Sequence, residues 1–137
     1  MPFTDILNCG EPELWDVLDS EAAYAKDLWF QAKGIGMIEL CKLGEALGVA
    51  SYEELFDGFD LIGDPRDDGP WPQTIPESLT KRIGNLTDGE IAAVLPEWAD
   101  VEEFGGTVTE DSLADYLKRL RKWLDGRDGP FFLINSL

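Results

Sequence analysis

Any chemistry in this chain has to come from carboxylates, because its 137 residues include 28 Asp and Glu, 11 Lys and Arg, and no His. Without an imidazole there is no Ser-His-Asp triad, no Cys-His pair, no HExxH zinc site and no histidine general base. The adjacent acids Glu53-Glu54, Glu102-Glu103 and Glu110-Asp111 are what remains for acid–base work. A catalytic pair, however, needs carboxyl groups set across a cleft, about 5–10 Å apart in glycoside hydrolysis. Neighbouring acids arise from composition alone in a chain this acidic. Cys9 and Cys41 have neither a CxxC spacing nor a histidine beside them, and read as packed free thiols of a reducing compartment. The expectation is a protein that is not an enzyme and needs no cofactor or metal.

Two motifs invite a sharper reading and do not sustain it. Gly34-Ile35-Gly36 lacks the third glycine, the preceding strand and the lysine of a phosphate loop, and reads as a break before a helix. Leu43 to Leu55 has the helix, Gly-containing turn and Ser-started second helix of a helix-turn-helix. Glu53 and Glu54 stand where a DNA reader would carry Arg, Lys, Asn or Gln, so phosphate would be repelled and the segment reads as a helical corner supporting the core.

The densest acidic stretch follows that corner. Asp57, Asp60, Asp64, Asp67 and Asp68 are spread among glycines and Pro65 between Phe56 and Gly69. An EF-hand needs acids at positions one, three and five and a Glu at twelve, and these aspartates lie three, four, three and one residues apart. The stretch reads either as a solvated loop or as an acidic contact surface, with Glu53, Glu54 and the five aspartates as the candidate partner-binding residues.

Net charge supports the second option. The formal charge is −17, which repels nucleic acid and anionic membranes and attracts basic partners. Residues 1–68 hold 16 acids and 4 bases, and residues 69–137 hold 12 acids and 7 bases. The acidic field therefore belongs mainly to the first half. Residues 1–5 show neither the basic region nor the apolar run of a signal peptide, and no apolar run approaches the roughly 18 residues of a membrane span. A cytoplasmic location is expected.

The elements that must position these acids read as mostly helical, in one domain spanning 1–137. Pro12 begins a short helix ending near Leu18, with Leu14, Trp15 and Leu18 as its buried stripe. Asp19 or Ser20 caps a second helix in which Ala22, Ala25, Leu28, Trp29 and Ala32 recur at helical spacing. Met37, Leu40, Cys41, Leu43 and Leu47 mark a third, stopped by Gly48. Pro70 and Pro72 hold Trp71 on a stiff extended segment, which pins the acidic loop onto the second half. Pro76 opens a helix with Leu79, Ile83 and Leu86 on one face, and Thr87 with Glu90 forms a capping box for the next, which Pro96 ends or kinks before Trp98. Thr109 caps the helix with the clearest period, in which Leu113, Tyr116, Leu117, Leu120, Trp123 and Leu124 face inward. Lys118, Arg119, Arg121 and Lys122 lie on its outer face, where pairing with nearby acids and the helix C-terminus engages them. Phe131 to Leu137 reads as a short buried strand whose partner is residues 3–7, residues 105–108 or another chain. The fold class predicted is mainly α, a bundle of about five to seven short helices with a C-terminal strand, or α+β if a small sheet forms.

The run from Gly69-Pro70-Trp71 through Ile75-Pro76, Leu79, Leu86-Thr87-Asp88, Glu90-Ile91-Ala92 and Trp98-Ala99 resembles a pattern in small uncharacterised, immunity-like bacterial helical proteins. The resemblance covers about a third of the chain. It implies a bacterial source and a helical fold, and carries over no functional residue and no activity. The function expected is that of an acidic binding protein neutralising a basic partner, such as an immunity protein or antitoxin. The alternatives are a nucleic-acid mimic directed at a restriction or CRISPR effector, and a general acidic interaction protein.

Overall fold

The computed structural model describes residues 3–19, 28–31, 35–63, 70–106 and 108–136. Phe131–Ser136 (β4) is the strand expected from its apolar run, and the fold is built on both of its edges. Phe3–Asn8 (β1) pairs with one edge and Trp71–Thr74 (β3) with the other, and Trp29–Gln31 (β2) adds to the far side of β1. All three pairings are antiparallel, in the order β2-β1-β4-β3. Of the partners considered from sequence for the last strand, residues 3–7 are the ones it takes. The fold is therefore α+β, with a four-stranded sheet in place of a helical bundle that carries a single strand.

Alternation along β4 explains why it is so apolar. Leu133 lies opposite Ile6 and Phe132 opposite Leu7, so successive residues face opposite sides of the sheet. Both sides are covered. Ile6, Phe30, Phe131 and Leu133 join the larger core with the main group of helices, whereas Leu7, Phe132 and Ile134 pack with Leu14 in a smaller one. A central strand buried on both faces has no polar alternation to show.

Six α-helices occur among the described residues: Leu14–Leu18 (α1), Met37–Ala46 (α2), Tyr52–Gly58 (α3), Glu77–Gly84 (α4), Asp88–Ala99 (α5) and Glu110–Leu124 (α6). α1 covers the smaller core after a 3₁₀ turn at Glu11–Glu13. Only Leu14 of its expected stripe is fully buried; Trp15 and Leu18 are half-buried. The capping signals hold where side chains carry them. Thr87 accepts from the Glu90 amide at 3.1 Å while the Glu90 carboxylate accepts from the Thr87 amide at 3.0 Å, which satisfies two orphan donors reciprocally. Thr109 accepts from the Ser112 amide, and Ser51 from the Glu54 amide. Gly48, at φ 76°, supplies the left-handed residue after α2.

Three readings are corrected. Trp29, placed on a helical face from its spacing with Ala25 and Ala32, lies in β2 with Phe30 opposite Ile6; the rest of that expected helix, 20–27 and 32–34, lies outside the described residues. Of the two outcomes expected at Pro96, an end or a kink, the end does not occur, since α5 continues through Ala99. Ala92 and Pro96 are both exposed, so the carbonyl that proline leaves without an amide partner lies on the solvent side of α5, while Trp98 holds the last turn inward. Phe56 to Gly58, read as loop, forms the end of α3.

Trp98 is the central anchor of the larger core, 0% exposed, with its ring 5.5 Å from Phe104 and its indole Nε1 donating to the Glu39 carbonyl at 2.9 Å. That bond ties α5 to α2. Gly44 sits where α2, α3 and α4 meet, and a Cβ there would stand 2.5 Å from a Leu55 methyl and 3.1 Å from a Leu79 methyl. The absence of a side chain is what allows the approach.

Candidate functional site

The candidate residues Glu53, Glu54 and Asp57 lie on α3, and Asp60 follows it. Asp64, Asp67 and Asp68 lie outside the described residues. α3 forms because Ser51 caps it and Leu55 is driven into the core, 2% exposed. Its geometry then sorts the acids, since each residue turns the helix by about 100°. With Leu55 inward, Glu53 and Asp57 point outward, Glu54 lies on one flank, and Tyr52 and Phe56 share the other. All three helical acids and Asp60 are exposed.

Phe56 and Leu61 are exposed too, at 42% and 46%. Two large apolar side chains left in water within nine residues of four carboxylates are the feature that sequence reading did not single out. The only signal in the sequence was a Phe and a Leu among aspartates, and their exposure depends on which side of α3 the core occupies. The Tyr52 and Phe56 rings are 6.0 Å apart at i, i+4.

The segment after α3 is held by the backbone of β3. The Ile62 amide donates to the Pro72 carbonyl at 3.0 Å, the Thr74 amide donates to the Asp60 carbonyl at 2.9 Å, and the Thr74 hydroxyl donates to the Gly58 carbonyl at 2.9 Å. Leu61 forms a bridge with Gln73. Gly63, at φ 72°, lies against the Trp15 indole of α1, where a Cβ would meet the ring at 3.3 Å. β3 main chain and Trp15 thus hold the described part of the acidic segment, and Trp71 is itself half-buried in β3.

Electrostatics separate this corner from the rest. Among the described residues no basic side chain pairs with Glu53, Glu54, Asp57 or Asp60. The pairs Lys81–Glu77, Arg82–Glu90, Arg119–Asp115 and Arg121–Asp88 all engage acids of the second half. Arg82 and the helix cap at Thr87 pull the Glu90 carboxyl down to about 2.

Neither cysteine is set up as a nucleophile. Burial pushes the Cys9 and Cys41 thiols up to about 11, with Glu13 and Glu39 adding to the shift, so thiolate is scarce at neutral pH. Burial also raises the Tyr116 phenol. Among the described residues no three acids or cysteines converge as metal ligands, and no helix is long and apolar enough to cross a membrane.

A cavity of about 680 Å³ lies between α4 and the turn before β4. Its cations are already engaged: Lys81 pairs with Glu77, and Arg127 donates to the Trp123 carbonyl at 2.7 Å and stacks 4.5 Å from that ring. Comparison of the chain with protein-family models, curated proteins and solved structures returns no match.

Proposed function

We propose that this protein is a non-enzymatic acidic binder that neutralises a basic protein partner, in the manner of an immunity protein or antitoxin, and acts in the cytoplasm. The observation that carries the reading is the α3 corner, where exposed Phe56 and Leu61 stand among four carboxylates that pair with no base among the described residues. An apolar anchor surrounded by uncompensated charge suits protein recognition: the anchors supply burial, and the charges steer and orient a partner of opposite sign. A toxin that acts on nucleic acid is itself basic, which fits it to this surface. Nucleic-acid mimicry needs carboxylates in a regular row. The division of the α3 acids between two sides of the helix, with rings beside them, favours a protein-binding patch instead.

The test is binding of basic proteins from the source organism to the wild-type chain and to a variant carrying Glu53→Gln, Glu54→Gln, Asp57→Asn and Asp60→Asn, across a salt series. We expect the wild type to bind more weakly as salt rises and the variant to associate about tenfold more slowly at low salt. Equal association by both proteins, or indifference to salt, overturns the reading. Recovery of a restriction or CRISPR effector would select the mimic.

A further inference from the structure

A smaller groove, about 240 Å³, opens between α2, α3 and the end of α5. Ala46, Tyr52 and Val101 line it together with the buried Trp98, and the exposed Glu45 and Glu97 contribute carboxylates. We infer that this groove seats an arginine side chain of the basic partner, an inference that rests on the acidic-binder reading above.

Size is the first argument. Sites for small organic ligands run from about 300 to 1,000 Å³, and this groove falls below them, at the scale of one long side chain. Composition is the second. The apolar walls suit the methylene stem of an arginine, and Tyr52 offers an aromatic ring beside which a guanidinium is stabilised. Two carboxylates against the single ammonium of Lys42 leave the groove net negative. A planar guanidinium can bond both oxygens of a carboxylate, which an ammonium does less well.

Preorganisation is the third argument. Glu45 accepts from the Tyr52 amide through Oε2 at 2.9 Å, so one oxygen is fixed and the carboxylate is held in place. The Trp98 indole is locked by its bond to the Glu39 carbonyl. The groove is also continuous with the patch on α3, because Tyr52 lines it and stacks near Phe56. A partner lying along Phe56 would bring a neighbouring side chain to Glu45 and Glu97.

The experiment is an amide NMR titration of the full chain at low salt with a blocked tetra-arginine peptide and its tetra-citrulline counterpart, which keeps the shape but carries no charge and has a carbonyl oxygen in place of one guanidinium nitrogen. Saturable shifts at Ala46, Tyr52 and Val101 are expected with arginine and not with citrulline. Glu97→Gln should weaken binding about threefold, Lys42→Gln should strengthen it, and Glu53→Gln with Asp57→Asn should leave the groove shifts in place. Shifts confined to Glu53 and Asp57 would overturn the groove while leaving the acidic-binder reading intact. Absence of binding anywhere on the protein would overturn both.

Discussion

The corner formed by α2 and α3 and the group formed by α4, α5 and α6 use the same residue types for different ends. In the second group an acid is part of the scaffold. Glu90 accepts from the Thr87 amide and pairs with Arg82, tying α4 to α5 while completing a cap. Asp88 pairs with Arg121, whose guanidinium also donates to the Leu86 carbonyl at 3.0 Å, so α6 is fastened to the turn before α5. At the α2–α3 corner Glu53 and Asp57 are exposed and engage no base among the described residues. The comparison teaches that acidity by itself does not mark a surface for binding. What distinguishes an acid available to a partner is the lack of an internal cation, and that depends on which helices neighbour it.

The largest effect should come from the residue that joins the two regions. Trp98→Ala removes a fully buried ring and the indole bond to α2, and should cost about 3–5 kcal/mol in urea unfolding, with both regions lost together. A loss under 1 kcal/mol would mean that the regions are stabilised independently. Thr87→Ala removes the cap of α5 and should cost about 1 kcal/mol, measured the same way.

The third effect is one of pH. The Glu90 carboxyl is depressed to about 2, by Arg82 first and then by the Thr87 amide. A depressed carboxylate contributes stability that is present above its unfolded value and lost as pH falls through its folded value. Stability should therefore decline between about pH 5 and pH 2, and Glu90→Gln should flatten part of that decline. A slope left unchanged by Glu90→Gln would remove Glu90 from the scaffold and erase the distinction drawn between the two regions.

The smallest effect should have the opposite sign. Glu53 and Asp57 are like charges at i, i+4, an arrangement that destabilises a helix by a few tenths of a kcal/mol. Asp57→Asn, which relieves the repulsion and leaves Glu53 in the first turn where the helix N-terminus favours a carboxylate, should raise the urea midpoint slightly while weakening capture of a basic partner. A fall in stability would show that Asp57 is structural after all.

Local signals in the sequence determined more of the helices than of the sheet. Thr87 with Glu90, Thr109 and Ser51 mark helix starts by side-chain chemistry that works within four residues, and the period from Leu113 to Leu124 fixes which face of α6 turns inward; each is found in the structure. β4 was legible as a strand from its apolar run and residues 3–7 as one of its candidate partners, but the choice among the candidates and the pairing with β3 were not, because register is a relation between segments far apart in the chain. β2 was misread because three residues carry too little period to distinguish a strand from a helix, and only the pairing of Phe30 with Ile6 decides it. The acidic character of the first half was evident from composition. Which acids lack a cation, that Phe56 and Leu61 remain in water, and that Glu45 and Glu97 meet beside Tyr52 were decided by tertiary structure. Charge and exposure belong to the spatial neighbourhood of a side chain, and the packing of α2, α3 and α5 around Trp98 creates that neighbourhood.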